Sequence, residues 1–178
     1  MRALVISDVH GIKTNLEKVR NRYIQLKCDK LIVLGDLYWG NQEADYEPQY
    51  VRKFLESFKD NLICIKGNCD FRVNPTEEQY KIETDNVINL EKNIYITHGH
   101  MYNDKNWTLE NSILIFGHYH IPFIEKIGSN IFINPGSISK PRGENLPSYL
   151  FINGCEFTIF DVNDSVITSI KVSQNKLV

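Results

Sequence analysis

The stretch Leu31-Ile32-Val33-Leu34-Gly35-Asp36 decides the fold. Four apolar residues run straight into a glycine and a carboxylate. A run this short reads as a strand buried on both faces, as in a parallel sheet. The glycine lets the chain turn sharply and brings backbone close to whatever sits there. The carboxylate then lies just past the carboxyl end of the strand, which is where ligands bind in open α/β sheets.

Four other stretches repeat the device. Leu4-Val5-Ile6-Ser7 runs into Asp8-Val9-His10, and Leu62-Ile63-Cys64-Ile65 leads through Lys66 and Gly67 to Asn68. Ile94-Tyr95-Ile96-Thr97 runs into His98-Gly99-His100, and Ile113-Leu114-Ile115-Phe116-Gly117 into His118-Tyr119-His120. All 5 histidines of the chain fall in these stretches.

Around these strands the first half alternates β-α-β-α-β, which implies a parallel sheet with right-handed crossovers. Strands are expected at residues 2–7, 30–34 and 62–65. Thr14-Asn15-Leu16-Glu17 reads as a capping box opening a helix to about Lys27. A second helix begins at Pro48, a good first-turn residue, and runs to about Lys59. Its Val51, Phe54, Leu55 and Phe58 recur at helical spacing and should face the sheet. Between them lies a polar, aromatic-rich loop over 38–46, and a short helix is expected at 76–80. The second half reads as strands at 86–97, 113–116, 121–127, 130–133, 148–153, 155–160 and 165–172. They are separated by turns such as Gly128-Ser129, Asn153-Gly154 and Asn163-Asp164. These are too many for one parallel sheet, so a second, largely antiparallel or mixed sheet should pack on the first.

The chain has 178 residues, which suits a single domain over 1–178 with a sizeable core. The formal net charge of -2 leaves no basic surplus for a phosphate backbone, which argues against dedicated nucleic-acid binding. Apolar runs are strand-sized, so no transmembrane helix is expected. The N-terminus lacks the longer apolar region of a signal peptide. The 4 cysteines show no close pairing and read as reduced thiols, so a cytoplasmic location is expected.

Asp8, His10, Asp36, Asn68, His98, His118 and His120 mix hard oxygen with borderline nitrogen donors. Such a set suits manganese, iron, zinc or nickel and lacks the thiolates of a structural zinc site. Asp8 and His10, like His118 and His120, are spaced to share one side of an extended segment, so each pair can aim at one place. Seven donors are too many for one ion with open positions and about right for two sharing a bridging carboxylate. Two divalent ions about 3.5–4 Å apart would activate a water between them and clamp phosphate oxygens for in-line attack.

The ordered set Asp8-x-His10, Gly35-Asp36, Gly67-Asn68-Cys69-Asp70, His98 and Gly117-His118-x-His120 resembles the calcineurin-like metallophosphoesterase superfamily. More narrowly it resembles the small YfcE-type phosphodiesterases, whose Asn-Pro-Gly-Ser turn is matched by Asn134-Pro135-Gly136-Ser137. The resemblance spans essentially the whole chain. It implies an α/β fold, a four-layer α/β/β/α sandwich of two mixed sheets in a single domain. It implies that Asp8, His10, Asp36 and His120 hold one metal ion and that Asp36, Asn68, His98 and His118 hold the other. The activity implied is a phosphodiesterase acting on a small phosphate-ester substrate by attack of a metal-bridging hydroxide. Manganese stands first among the ions, with zinc, iron or nickel as alternatives. Asp36 and Asn68 would take part in catalysis by orienting the ions. Small relatives are often dimers or tetramers, so a homo-oligomer is compatible with the resemblance.

The wider superfamily has histidine where this chain has Cys69, and that histidine is thought to protonate the leaving group. Its absence puts general-acid catalysis in question, although cysteine is usual in the small subgroup. Whether Cys69 meets a metal or only packs is open at this level. His100 either contacts bound phosphate as a catalytic residue or structures its loop. Arg72 either binds an anionic substrate or is a solvated loop arginine; Tyr38, Trp39 and Tyr46 either wall a substrate cleft or serve packing or an interface, and Phe71 and Arg142 raise the same question. The rival reading is a scaffold like the retromer subunit VPS29, which resembles this family in fold and binds proteins around a vestigial metal pocket.

Overall fold

A computed structural model describes residues 1–39 and 44–173. Part of the aromatic-rich loop expected over 38–46 therefore lies outside the described residues. The strands and helices run β1 (Arg2–Ile6), α1 (Leu16–Gln25), β2 (Lys30–Val33), α2 (Pro48–Glu56) and β3 (Leu62–Cys64). They continue β4 (Ile88–Glu91), β5 (Ile94–Thr97), β6 (Ile113–Phe116), β7 (Pro122–Ile127), β8 (Asn130–Pro135), β9 (Ser148–Asn153), β10 (Glu156–Asp161) and β11 (Val166–Lys171).

Two mixed sheets result. One has the order β11-β10-β9-β1-β2-β3 and the other β4-β5-β6-β8-β7. In the first, β1, β2 and β3 are parallel and β9 pairs with β1 antiparallel. In the second, β5, β6 and β8 are parallel, flanked by antiparallel β4 and β7. The expected second sheet is there, but only part of the second half builds it. Strands β9, β10 and β11 instead extend the first sheet, because β9 pairs with the free edge of β1.

The period of two along β1 and β2 assembles the core. Leu4, Ile6, Leu31 and Val33 face the helices and pack with Leu16, Val19, Val51, Phe54 and Leu55. Ala3, Val5, Ile32 and Leu34 face the other way, against Ile94, Ile96, Ile113 and Ile115 of the second sheet. The apolar run Leu31–Leu34 is thus buried on both faces, as its composition predicts. The outer face of the second sheet, with Leu114, Phe116 and Phe132, is covered by Trp107, Tyr119 and their neighbours. That fourth layer is made of loop, among the described residues, rather than of a regular helix.

Some local expectations need correction. The capping box does not form: Asn15 is the N-cap of α1 and makes no side-chain cap bond. Thr14 donates instead to Asp45, and Asn15 Nδ2 reaches the Ile138 carbonyl at 2.8 Å, so both candidate caps are spent on tertiary contacts. The segment 86–97 is not one strand but the hairpin β4–β5, with a register shift between Asn89 and Glu91. Lys92, in the turn, has a φ of 48°. The short helix expected at 76–80 is a single 3-10 turn at Pro75–Glu77, capped by Asn74. Among the described residues, no helix is long and apolar enough to cross a membrane.

Candidate metal centre

The carboxyl ends of β1, β2, β3, β5 and β6 lie at one end of the two-sheet stack. Backbone bonds tie the exits together. Asp8 N–H donates to the Gly35 carbonyl at 3.1 Å, His10 N–H to the Asp36 carbonyl at 2.8 Å, and Gly117 N–H to the His98 carbonyl at 2.9 Å. Gly67 keeps an ordinary φ of −91°, so it is glycine for space rather than for conformation. A Cβ there would collide with Oδ1 and the backbone nitrogen of Asp36. Gly35, at φ +98°, would place a Cβ 2.6 Å from Gly67 N and 2.9 Å from His98 Nδ1.

Asp8 and His10 do converge, as do His118 and His120 with their neighbours, but not along extended segments. Asp8, His10, Asp36, His118 and His120 all have φ between 51° and 64°. This left-handed conformation is uncommon for non-glycine residues, with Asp and His among the more tolerant. It costs of order 1 kcal/mol or more per residue and tends to persist at functional sites.

Three imidazoles are locked in one orientation. Nδ1 of His10, His98 and His120 each lies 2.6 Å from a backbone carbonyl, those of Trp39, Leu34 and Lys140 respectively. Nδ1 is therefore the donor, and Nε2 is left to face the pocket, the arrangement typical of metal-ligating histidines. His10 Nε2 is 3.4 Å from His120 Nε2 and 3.7 Å from Asp36 Oδ2. His120 Nε2 is 3.1 Å from Asp8 Oδ1. On the other side, His98 Nε2 is 3.4 Å from Asp36 Oδ1 and 2.9 Å from Asn68 Oδ1. Asp36 thus offers one oxygen to each side.

Donors group compactly as Asp8–His10–His120, His10–Asp36–Cys69 and Asp8–Asp36–His98, each within 4.8 Å. His118 stands next to these groups rather than inside them. Its ring is 5.3 Å from that of His98, while its backbone N–H donates to Asp8 Oδ2 at 3.0 Å. His100 is exposed and flanks the same side, its ring 5.4 Å from His98 and 6.3 Å from His118.

The electrostatics fit a cation. Asp8 Oδ1 is buried and has no hydrogen-bond donor while His120 Nε2, 3.1 Å away, is unprotonated, so a metal ion between the two would satisfy both. Burial opposes a charge on Asp36, yet the hydrogen bond and charge of His98, the Cys69 N–H and His10 outweigh it and hold the carboxyl well below the usual range. Burial likewise works against charge on His98 and His120, but Asp36 and Asp8 raise the first, and Asp8 raises the second. In the metal-free protein both imidazoles are thus biased toward the cation, standing where metal charge would sit. His100 and His118 are pushed down, first by burial and then by the charge on His98. The Cys69 thiol is raised to about 12 by burial and then by the Asp36 carboxylate.

Several positioning groups escaped the sequence reading. Ser137 and Ser139 hydroxyls both donate to the Asp8 carbonyl at 2.8 Å. Asn134 Nδ2 donates to the Gly117 carbonyl at 2.7 Å. Asp70, fully buried, accepts from Leu37 N–H at 2.8 Å and Gly67 N–H at 2.9 Å, gripping the loops on both sides of Asp36. Asp70, Asn134 and Ser137 stand inside motifs already read from the sequence, so that signal was there to be found. The histidine-orienting carbonyls carry none.

The profile of the calcineurin-like phosphoesterase superfamily domain matches residues 1–156. The chain belongs to the calcineurin-like phosphoesterase superfamily. Within it, the chain is 30% identical to phosphodiesterase YfcE of Escherichia coli over 97% of its own length and 99% of that protein's. The solved structure of that phosphoesterase superposes with a TM-score of 0.87 at 29% identity, covering 97% of this chain and 100% of that one. A probable metallophosphoesterase of Bacillus subtilis, YsnB, is 30% identical over 85% of this chain and 83% of its own. The zinc complex of Entamoeba histolytica Vps29 superposes with a TM-score of 0.57 at 25% identity, over 97% and 98% of the two chains. Family and fold thus agree with the resemblance drawn from the motifs, and place this calcineurin-like chain among metal-dependent phosphoric ester hydrolases.

Proposed function

We propose that residues 1–178 form one dinuclear metal-dependent phosphodiesterase that hydrolyses small phosphate esters. The observation that carries this reading is Asp36, with Oδ2 facing His10 and Oδ1 facing His98. Asp8, His10, Asp36 and His120 would hold one divalent ion. Asp36, Asn68, His98 and His118 would hold the other, manganese being the first candidate. When bound, such ions supply Lewis acidity toward phosphate oxygens and make water nucleophilic near neutral pH.

The chain's own residues do the rest. The carbonyls of Trp39, Leu34 and Lys140 keep the Nε2 lone pairs of His10, His98 and His120 aimed inward. The Cys69 thiol, raised to about 12, holds its proton too firmly at Sγ to serve as a strong general acid. Esters with leaving groups that depart unaided are therefore the favoured substrates. Exposed His100, its ring 5.4 Å from that of His98 and 6.3 Å from that of His118, is placed to contact a bound phosphate. A protein-binding scaffold has no need of imidazoles locked this way around two carboxylates, which favours the enzyme. We place the protein in the cytoplasm, where its free cysteines stay reduced.

The test is hydrolysis of bis(p-nitrophenyl) phosphate by purified protein, chelated and then supplied with manganese. Activity absent in chelator and restored by metal supports the reading; no diesterase activity with any of manganese, zinc, iron or nickel would refute it.

A further inference from the structure

Beside the metal centre is a cleft of about 220 Å³ whose lining includes Tyr38, Trp39, Tyr46, Cys69 and Arg72. It adjoins the centre in two ways. Cys69 Sγ lies within 4.8 Å of donor atoms of His10 and Asp36. The Trp39 carbonyl is the group that orients His10.

Trp39, in the lining, is 44% exposed, and Phe71, outside the lining but in ring contact with Trp39, is 61% exposed. Their rings are 5.7 Å apart and tilted by 53°. The Arg72 guanidinium stands 4.6 Å from the Trp39 ring centre and 5.3 Å from that of Phe71. Glu77 and Glu78 also line the cleft, but Glu78 is held by Arg52 and Glu77 accepts from Asn74, and among the described residues Arg72 has no ion-pair partner. Other lining residues are cross-linked to one another. Arg52 grips Glu78 through two bonds of 2.8 Å and lies 4.9 Å over the Tyr38 ring, whose hydroxyl meets that of buried Tyr80.

We propose that Trp39, Phe71 and Arg72 form the subsite for the organic group of the ester, and that this group is a planar aromatic ring. Two partly exposed aromatic side chains with a guanidinium lying over both suit a flat π-system carried on an anion, the ring taking the guanidinium's place as the guanidinium turns to the anion. The rings stack on it and the arginine meets the negative phosphate linkage. Such stacking tolerates different rings, so a nucleobase and a simple aryl group share the chemistry. This inference rests on the phosphodiesterase reading and names the class of its substrate.

The test compares three diesters with the same p-nitrophenyl leaving group, whose retained group is methyl, phenyl or 5′-thymidyl. The expected result is a kcat/KM roughly tenfold or more higher for an aromatic retained group than for methyl, expressed mainly in KM. That ratio should fall toward one in Phe71→Ala and in Arg72→Ala. A gain for both phenyl and thymidyl indicates a general ring subsite, and a gain for thymidyl alone a nucleobase subsite. A second readout needs no turnover: thymidine 5′-monophosphate should quench tryptophan fluorescence in wild type, much less in Trp39→Phe, and more weakly in Phe71→Ala.

Hydrolysis of all three esters at equal kcat/KM would overturn the subsite while leaving the phosphodiesterase reading intact. So would a ratio untouched by both substitutions, or a Phe71→Ala protein that loses an oligomer but keeps the ratio. Hydrolysis of none would refute the phosphodiesterase reading, and the quenching experiment then judges the subsite alone. Quenching that is unchanged in Phe71→Ala and in Trp39→Phe overturns it.

Discussion

Replacing Gly67 by alanine isolates the positioning of Asp36 from backbone strain. Gly67 has a φ that any residue adopts, so the added methyl acts only through space. It would overlap Asp36 Oδ1 and the Asp36 nitrogen and lie 3.0 Å from Asp36 Cγ. The nitrogen belongs to backbone, which cannot swing aside like the end of a flexible side chain. Overpacking of this kind costs about 1–3 kcal/mol. For a domain of this size that lowers Tm by roughly 2–12 °C. The larger effect should be on metal. Disturbing a group that positions a ligand typically costs about 10–100-fold in affinity. That removes about 1.4–2.7 kcal/mol of metal-linked stabilisation at a fixed concentration. Gly128→Ala is the matched control. It has a φ of +60° and open space around its missing Cβ, so it should cost about 1–2 kcal/mol of backbone strain alone. The assay is thermal melting of wild type, Gly67→Ala and Gly128→Ala, each in chelator and in manganese. Both variants should melt lower in chelator, and only Gly67→Ala should lose much of the manganese-induced rise. A Gly67→Ala protein with the full rise would refute the argument that this glycine exists to let Asp36 in.

Other consequences can be measured directly. Asp36→Asn should abolish turnover while the fold survives, and His10→Ala should weaken mainly one ion; metal analysis and diesterase rates check both, and near-normal activity in Asp36→Asn would sink the shared-carboxylate scheme. Metal must displace protons from His98 and His120, whose pKa values are raised in the metal-free fold. The stability they contribute is full below about pH 6.5 and fades as pH rises through their raised values, whereas metal affinity strengthens over the same range. Calorimetric titration in buffers of different ionisation enthalpy should therefore show proton release on metal binding. Cys69→His should raise rates selectively toward alkyl esters, by up to about 10²–10⁴-fold if the new group is well placed, read from a series of graded leaving groups. A wild-type rate insensitive to leaving-group pKa, lost in Cys69→Ala, would instead make the thiol itself the acid.

Much of the fold was legible because burial writes itself into short apolar runs. Leu4 to Ile6 and Leu31 to Leu34 serve two cores at once, so they could hardly be anything but central strands. The destination of the later strands was not legible. Nothing local in Ser148–Asn153 says that it will pair with β1 rather than join the second sheet, since that choice depends on which edge is free. Caps failed for a similar reason: Thr14 and Asn15 have the right chemistry but a better use elsewhere. At the candidate centre, donor types and spacing were enough to gather Asp8, His10, Asp36, His98 and His120. The geometry that gathers them was not, because a left-handed turn at Asp8 or His120 leaves little trace in residue type. Asp and His tolerate it, but they occur far more often without it. Gly67 is the converse case, a glycine whose φ of −91° any residue could adopt and whose role is clearance for a carboxylate.

The central claim is that two divalent ions share Asp36 in a working phosphodiesterase. Metal content and bis(p-nitrophenyl) phosphate hydrolysis, measured on the same samples as manganese is titrated into chelated protein, test it most directly. The account predicts binding that saturates near two ions per chain, with activity rising as the second site fills. Saturation at one ion with full activity, or two ions bound with no hydrolysis, would contradict it.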